Sequence, residues 1–313
     1  MPLNTSSSFH QGHLSIIVAT FAVSTASIMI RIAQSSAIVI AFWRVTLSAG
    51  LLFPIMFRKS VRTQFRVVIS NPPIMLWQFV AGFFLSLHFW SWFQSVKYSP
   101  IAVSVLLANS SPIWVLLMST LFLKKKISIP QLAGVILGIL GMFIISVLHT
   151  PVYFADTFNQ GVILALIGAL MIAGYFLVGQ EVRIKQVPNI PWVFFINLSC
   201  SGFLLFYSWL LGVNVAIFPL KDLIWFIALA IGPSLAGHAL YIYSMKFFSA
   251  QTVSIAVIGE AVGASLLAIF IFGENLPTST ILGGLLVFLA IFLNIKYDKG
   301  FQSSDENSLY LVD

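Results

Sequence analysis

Residues 82–107, GFFLSLHFWSWFQSVKYSPIAVSVLL, and residues 232–257, GPSLAGHALYIYSMKFFSAQTVSIAV, carry one pattern twice, 150 residues apart. Gly82 falls on Gly232 and His88 on His238. Ser99 falls on Ser249, Val103 on Val253 and Ser104 on Ser254. Further out, Leu132 meets Leu282, and a slightly different offset aligns Phe42 with Phe194 and Gly50 with Gly202. The chain therefore reads as two copies of one unit.

Both copies are strongly apolar. Of 313 residues, 59% are hydrophobic and only 8% charged, with a mean hydropathy of +1.00. Soluble domains carry about 25% charged residues, so no water-soluble fold covers this much apolar surface. About twenty apolar residues span a bilayer as a helix. Runs between charges and Pro or Gly breaks predict ten spans: 14–33, 38–57, 74–93, 101–121, 130–148, 161–182, 191–211, 223–245, 251–272 and 279–296. The expected fold is an all-α integral membrane protein. It divides into a cytoplasmic segment (1–13), a first five-helix repeat (14–148), a second (161–296) and a polar tail (297–313), expected to be disordered from 300 onward. Five crossings is an odd number, so the second copy enters the membrane upside down. Inverted repeats characterise many secondary transporters, with the substrate site at the repeat interface near mid-membrane.

Loop charge gives the orientation, because Lys and Arg gather on the cytoplasmic side. With the N-terminus inside, the inner loops hold Arg58, Lys59, Arg62, Arg66, Lys124, Lys125, Lys126, Arg183, Lys185, Lys246, Lys296 and Lys299. That is twelve of the sixteen cations, and it predicts that both termini are cytoplasmic in an inner or plasma membrane. Lys97 and Lys221 lie in outer loops, and Arg31 and Arg44 in the outer halves of their spans. Equivalent loops also differ in charge, as inversion requires: Lys124 is cytoplasmic and its repeat mate Glu274 is outside. A pI near 9.6 invites a nucleic-acid partner, but the cations flank spans rather than forming one patch. The lone Cys200 lies in an apolar run and forms no internal disulfide. Residues 1–13 contain no Lys or Arg, which argues against a cleaved signal peptide.

These passages resemble the ten-helix EamA type of the drug/metabolite transporter superfamily, over nearly the whole chain. AFWRVTLSAGLL (41–52) is similar to that family's second helix with its arginine, and residues 81–107 to its third and fourth helices. SPIWVLLMSTLFLKKKIS (111–128) resembles the end of the first repeat, and residues 232–274, with Gly-His and Phe-Gly-Glu, resemble the second. The resemblance implies transport and leaves the cargo open. Two departures stand out. The family's Glu-Pro is Glu260-Ala261 here, and its Leu-Lys-Glu-Arg is Leu123-Lys124-Lys125-Lys126.

An ionisable group at mid-membrane costs about 2.5–3.5 kcal/mol on the insertion scale, so each needs a reason. Glu260 lies half-way along the ninth span. It reads as a proton or amine site, or as a carboxyl that ties helices together. Its repeat mate Ser110 lies in Asn109-Ser110-Ser111-Pro112, also at mid-depth, and Pro112 leaves a backbone carbonyl free. Arg44 is too deep to snorkel fully; it is a candidate for a substrate carboxylate, or a permanent partner of helix-end carbonyls. Arg31 is near enough to the outer surface to snorkel. Inversion places His88 in the outer half and His238 in the inner half. They are candidates for a proton relay, against the commoner buried, neutral, hydrogen-bonded histidine. Trp77, Trp92, Trp192, Trp209 and Trp225 read as interfacial belt. Trp43, Trp90 and Trp114 are deeper and read as pocket lining or as lipid- or core-facing packing. Tyr175, Asn197 and Tyr241 are polar groups at depth with the same two readings.

There is no phosphate-cradling loop and no His/Cys cluster with metal spacing, so no cofactor or metal is expected. The expected function is a secondary carrier, outward-directed, for a small organic metabolite, using alternating access. Arg44 and Glu260 together suit an amino acid or similar zwitterion, with protons as a candidate coupling ion. The alternatives in class are sugar, nucleobase or cationic-drug carriers. Outside the class stand an intramembrane enzyme using Glu260 with His88 or His238, and a non-transporting scaffold. An enzyme has no need of the inverted construction, and a scaffold no need of a polar mid-membrane cluster.

Overall fold

The computed structural model describes residues 5–124, 128–147, 160–272 and 278–298. Lys125, Lys126, Asp156, Glu274 and Lys299, and the tail beyond 298, lie outside the described residues. Among the described residues every regular element is helical. The order is α1 (Thr5–Ser24), α2 (Ala26–Ile32), α3 (Ala37–Met56), α4 (Lys59–Ile69), α5 (Pro72–Tyr98), α6 (Ile101–Ala108) and α7 (Ser111–Leu121). Then come α8 (Ile129–Val147), α9 (Gln160–Ile184), α10 (Asn189–Leu210), α11 (Leu223–Leu229), a π-helical stretch (Ala230–His238), α12 (Ala239–Ser244), α13 (Ala250–Phe272) and α14 (Thr278–Tyr297). Eight stretches are long and apolar enough to cross a membrane, and two shorter apolar helices are Ile129–Ile145 and Ala250–Ala264. All ten fall on the apolar runs read from the sequence. Their outer faces expose Leu14, Phe21, Leu76, Leu205, Leu285 and Phe288, a surface suited to lipid rather than water.

Hydrogen-bond chemistry explains where helices begin and break. Asn71 starts α5: its Oδ1 accepts from the Ile74 backbone N at 3.2 Å, and Pro72 and Pro73 fill the positions that need no donor. The fourth run is two helices, because Pro112 brings no N–H to the Ala108 carbonyl. The chain turns at Asn109 and Ser110, where Ser110 Oγ donates to Leu107 O at 2.6 Å. In the eighth run Pro233 likewise removes a donor, and the backbone loosens into the π stretch instead of breaking. In the ninth run Ala261 keeps its N–H, and α13 runs uninterrupted to Phe272.

Three features add to the expected spans. Residues 5–13 are helical, since α1 begins at Thr5. Contacts from the second half hold this end: Tyr243 OH donates to Gln11 Oε1 at 3.3 Å, and His13 packs edge-on against Phe248 at 5.2 Å. The first run bends at Thr25, whose hydroxyl donates to Ala22 O at 2.7 Å and competes with the helical ladder. The charged stretch 59–69 is itself a helix, α4, lying between two spans.

Each half packs against the other through equivalent helices. α3 lies on α10, and α8 on α14. On α3 and α10, Thr46 meets Ser201 (2.7 Å) and Phe53 meets Phe194 (6.2 Å between rings), so numbering rises on one as it falls on the other. On α8 and α14, Gly134 faces Asn294 and Gly141 faces Gly283, again antiparallel. A Cβ on Gly141 would stand 2.5 Å from the Gly283 carbonyl oxygen, so the two backbones touch there. The contact of α5 with α9 is matched by that of the π stretch and α12 with α1.

Candidate functional site

Near the centre of the bundle is a small cavity of about 30 Å³, walled by α1, α2, α3, α5, α6, α9, the π stretch, α12 and α13. That volume holds about two water molecules. Both halves contribute: Arg44, His88, Trp92, Ala108 and Asn109 from the first, Ile172, Phe176, His238, Tyr241, Val257 and Glu260 from the second.

Arg44 is fully buried. Its Nε donates to Ser234 Oγ at 2.6 Å, and its Cζ lies 4.1 Å from the Phe89 ring centroid. This pins the stem and one face of the guanidinium. The two Nη atoms have no hydrogen-bond partner among the described residues. Glu260 is 4% exposed; its Oε2 accepts from Asn109 Nδ2 at 3.5 Å, and Oε1 has no partner. Arg44 and Glu260 line the same cavity without a direct ion pair. Buried ionic groups left without partners are costly. The cavity is thus lined by a guanidinium fork and a Glu260 oxygen that have no hydrogen-bond partner among the described residues.

The histidines frame the cavity unequally. His88 Nδ1 lies 2.8 Å from Gly168 O. A carbonyl only accepts, so Nδ1 carries the proton and donates. The ring stacks on Trp92 at 5.7 Å. His238 Nδ1 has no partner, and its ring packs edge-on to Phe89 at 5.2 Å. Their rings, one from each half, are 6.1 Å apart. Tyr241 OH donates to Thr20 Oγ1 at 3.0 Å, which in turn donates to Ala256 O at 3.3 Å, closing α12, α1 and α13 around one side.

Tyr175 and Asn197 line a second, smaller void beside the first, which shares His238 and Ser234 with the Arg44 environment. Trp43, Trp90, Ser110 and Trp114 line neither cavity. Trp43 Nε1 donates to Val215 O at 2.8 Å, and Trp90 packs near Tyr207 at 6.5 Å. Two tryptophans assigned to the belt are interior. Trp192 is fully buried, and Trp92 is a cavity wall. Trp92 follows His88 by four residues, hence shares its helix face; that spacing was the available signal. Ser234, which orients Arg44, precedes His238 by four in the same way. Arg183, expected in a loop, is buried in the last turn of α9, with its guanidinium unpartnered. Arg31 donates to Ser99 O at 2.7 Å, so it holds a loop as well as reaching the surface. No group of three or more His, Cys, Asp or Glu is placed to hold a metal among the described residues.

The sequence pattern of the EamA-like transporter family matches residues 10–147 and again residues 159–296. An uncharacterized transporter of Archaeoglobus fulgidus is 23% identical over 283 residues, covering 90% of this chain and 95% of that protein. The uncharacterized transporter YxxF of Bacillus subtilis is 22% identical over 235 residues, 70% of this chain and 69% of its own. A solved crystal structure superposes with a TM-score of 0.71 at 16% identity, covering 95% of this chain and 99% of that one.

Proposed function

The chain belongs to the EamA-like transporter family, and on that premise we propose that it is a ten-span secondary carrier, built of two inverted five-helix repeats, that exports a small zwitterionic metabolite such as an amino acid. One observation carries the reading: the free guanidinium face of Arg44 and the free carboxylate oxygen of Glu260 open into one cavity walled by both halves. Arg44 holds the substrate carboxylate in a bidentate fork. Glu260, with Asn109, holds the amine. His88 and Trp92 offer a flat wall to an apolar side chain. The antiparallel pairing of α3 with α10 and of α8 with α14 supports inversion, since counterpart helices in parallel repeats run the same way. A cavity with room for about two waters suits an occluded state, so loading requires the halves to part.

Protons are the second element of the reading. Glu260 and the two histidines share the cavity, which supports coupling of substrate export to proton entry. Both termini lie in the cytoplasm of a cell with this protein in its inner membrane, on the loop-charge argument.

Radiolabelled amino acids, sugars and nucleobases, assayed for uptake and efflux in proteoliposomes with and without a pH gradient, test this. Accelerated movement of an amino acid that is lost in Arg44→Gln supports the reading. Transport of a sugar or nucleobase unaffected by that substitution refutes the assigned chemistry. A reporter inserted near Asp156 reads outside, and one after Arg66 reads inside; the opposite result reverses the orientation.

A further inference from the structure

α4 is the one described helix that neither spans nor continues a span. At eleven residues it is about 16 Å long, half a bilayer core. Val61 and Val68 are buried and Phe65 stacks on Phe195 of α10 at 5.4 Å, which fixes the inward face. At about 100° per residue, Lys59, Arg62 and Arg66 fall within roughly 60° of one another on a different face, and Arg58 extends it at the N-terminal edge. All four are exposed. None makes an ion pair or side-chain hydrogen bond among the described residues.

Like charges three and four residues apart on a helix repel one another. A protein normally relieves this with carboxylates, and among the described residues none pairs with this face. The first acidic residue of the whole chain is Asp156. The helices packed against α4, namely α3, α5 and α10, contain no Asp or Glu. Among the described residues the helices packed on α4 supply no counter-charge. Apolar side chains lead up to the stripe: Phe53, Phe57, Val67 and Ile69 are all exposed. An exposed apolar surface that turns abruptly cationic matches the passage from acyl chains to headgroups.

We propose that the Arg58, Lys59, Arg62 and Arg66 face of α4 is a binding surface for anionic phospholipid headgroups of the adjacent leaflet. The stripe supplies the positive charge, and the flanking Phe57, Val67 and Ile69 supply the acyl contact. Neither the transported substrate nor the central cavity takes part.

The test uses the purified full-length protein in mild detergent, with lipid binding counted by native mass spectrometry. The probes are palmitoyl-oleoyl phosphatidylglycerol and the matching phosphatidylcholine. The variant R58Q/K59Q/R62Q/R66Q is compared with a control, K124Q/K125Q/K126Q/K296Q, that loses the same charge elsewhere. Wild type and control retain phosphatidylglycerol preferentially. Each cation removed from α4 weakens it about five-fold, the equivalent of about 1 kcal/mol. Raising salt to about 1 M, where screening reaches only about 3 Å, removes the preference. Should the quadruple variant fold poorly, R58Q/K59Q and R62Q/R66Q each show a partial loss. Equal retention of the two lipids by wild type overturns the proposal, as does an equal loss in the control. Displacement of the lipid by soluble glycerol 3-phosphate, or tighter binding of an acidic peptide, shows a different partner and also overturns it.

Discussion

The fourth and ninth runs occupy one place in the repeat and solve one problem in two ways. In the first half, Pro112 breaks the helix into α6 and α7, and the turn between them presents Asn109. In the second half, α13 stays whole and presents Glu260 from its interior. One copy offers loosened backbone and a neutral amide; the other offers a rigid backbone and an ionisable carboxyl. The two meet, Asn109 Nδ2 donating to Glu260 Oε2. The eighth and third runs differ in the same spirit. His88 sits on the regular α5 with Nδ1 fixed to Gly168, whereas His238 ends a π stretch with Nδ1 free. Duplication supplied two equivalent positions, and the polar chemistry then diverged at each.

The two ionisable groups that line the cavity, Arg44 and Glu260, should give the largest effects. Arg44→Gln leaves a substrate carboxylate without its fork, and losing one partner of a buried charged pair costs about 2–5 kcal/mol. Transport should fall by roughly thirty-fold to several thousand-fold. Arg44→Lys should rescue little, because an ammonium cannot make the planar fork. Glu260→Gln keeps the shape and removes the titration. It should abolish accumulation driven by a pH gradient while leaving substrate exchange partly intact. If Glu260 instead grips a substrate amine alone, the same change weakens binding equally at every pH. Unchanged transport per folded molecule, with lower detergent stability, would leave Glu260 as a helix tie and break the comparison.

Exchanging the two backbones is the next test. Ala261→Pro gives α13 the break that α6 and α7 already have, and removes the donor to the Val257 carbonyl. An interior proline costs a soluble helix about 3 kcal/mol, less where neighbouring helices re-satisfy the freed group. Thermal unfolding should drop by several degrees, with transport lowered no more than about ten-fold. Pro112→Ala does the reverse: it restores a donor to Ala108, a cavity-lining residue. Stability should rise slightly and turnover should fall several-fold. Transport that improves on healing α6 and α7 would mean the break has no role in the cycle.

Much of this was legible in the chain because its signals are simple. Ten apolar runs and the proline at position 112 are each visible within a short stretch, and the repeat register shows on sliding the chain by 150 residues. The convergence of Arg44, Asn109, His88, His238 and Glu260 on one cavity was less so, since four helical elements and the turn between α6 and α7 bring them together. Depth misled for Trp92 and Trp192, which lie near span ends yet face inward, because a helix end has a buried side as well as a lipid side. α4 escaped because charge argued for a loop, while its valines at positions 61 and 68 held the helical spacing.

The smallest effects separate two neighbours that the sequence grouped together. Asn109 and Ser110 stand side by side at mid-depth, and the repeat register pairs Ser110, not Asn109, with Glu260. The turn reverses their roles. Ser110 Oγ donates to Leu107 O and only closes its own turn. Asn109 Nδ2 reaches Glu260, and its side chain lines the cavity. A hydrogen bond to a charged group is worth about 1.5–3 kcal/mol at good geometry, and 3.5 Å is long. Asn109→Ala should therefore weaken substrate binding by about ten-fold at most, and Asn109→Asp should weaken it further by placing a second carboxyl beside Glu260. Ser110→Ala should change transport by less than about two-fold, since a local turn has other ways to close. Half-saturation measured in proteoliposomes for the three variants resolves this. A larger loss at position 110 than at 109 would show that the repeat register, rather than the folded turn, identifies the polar partner of Glu260.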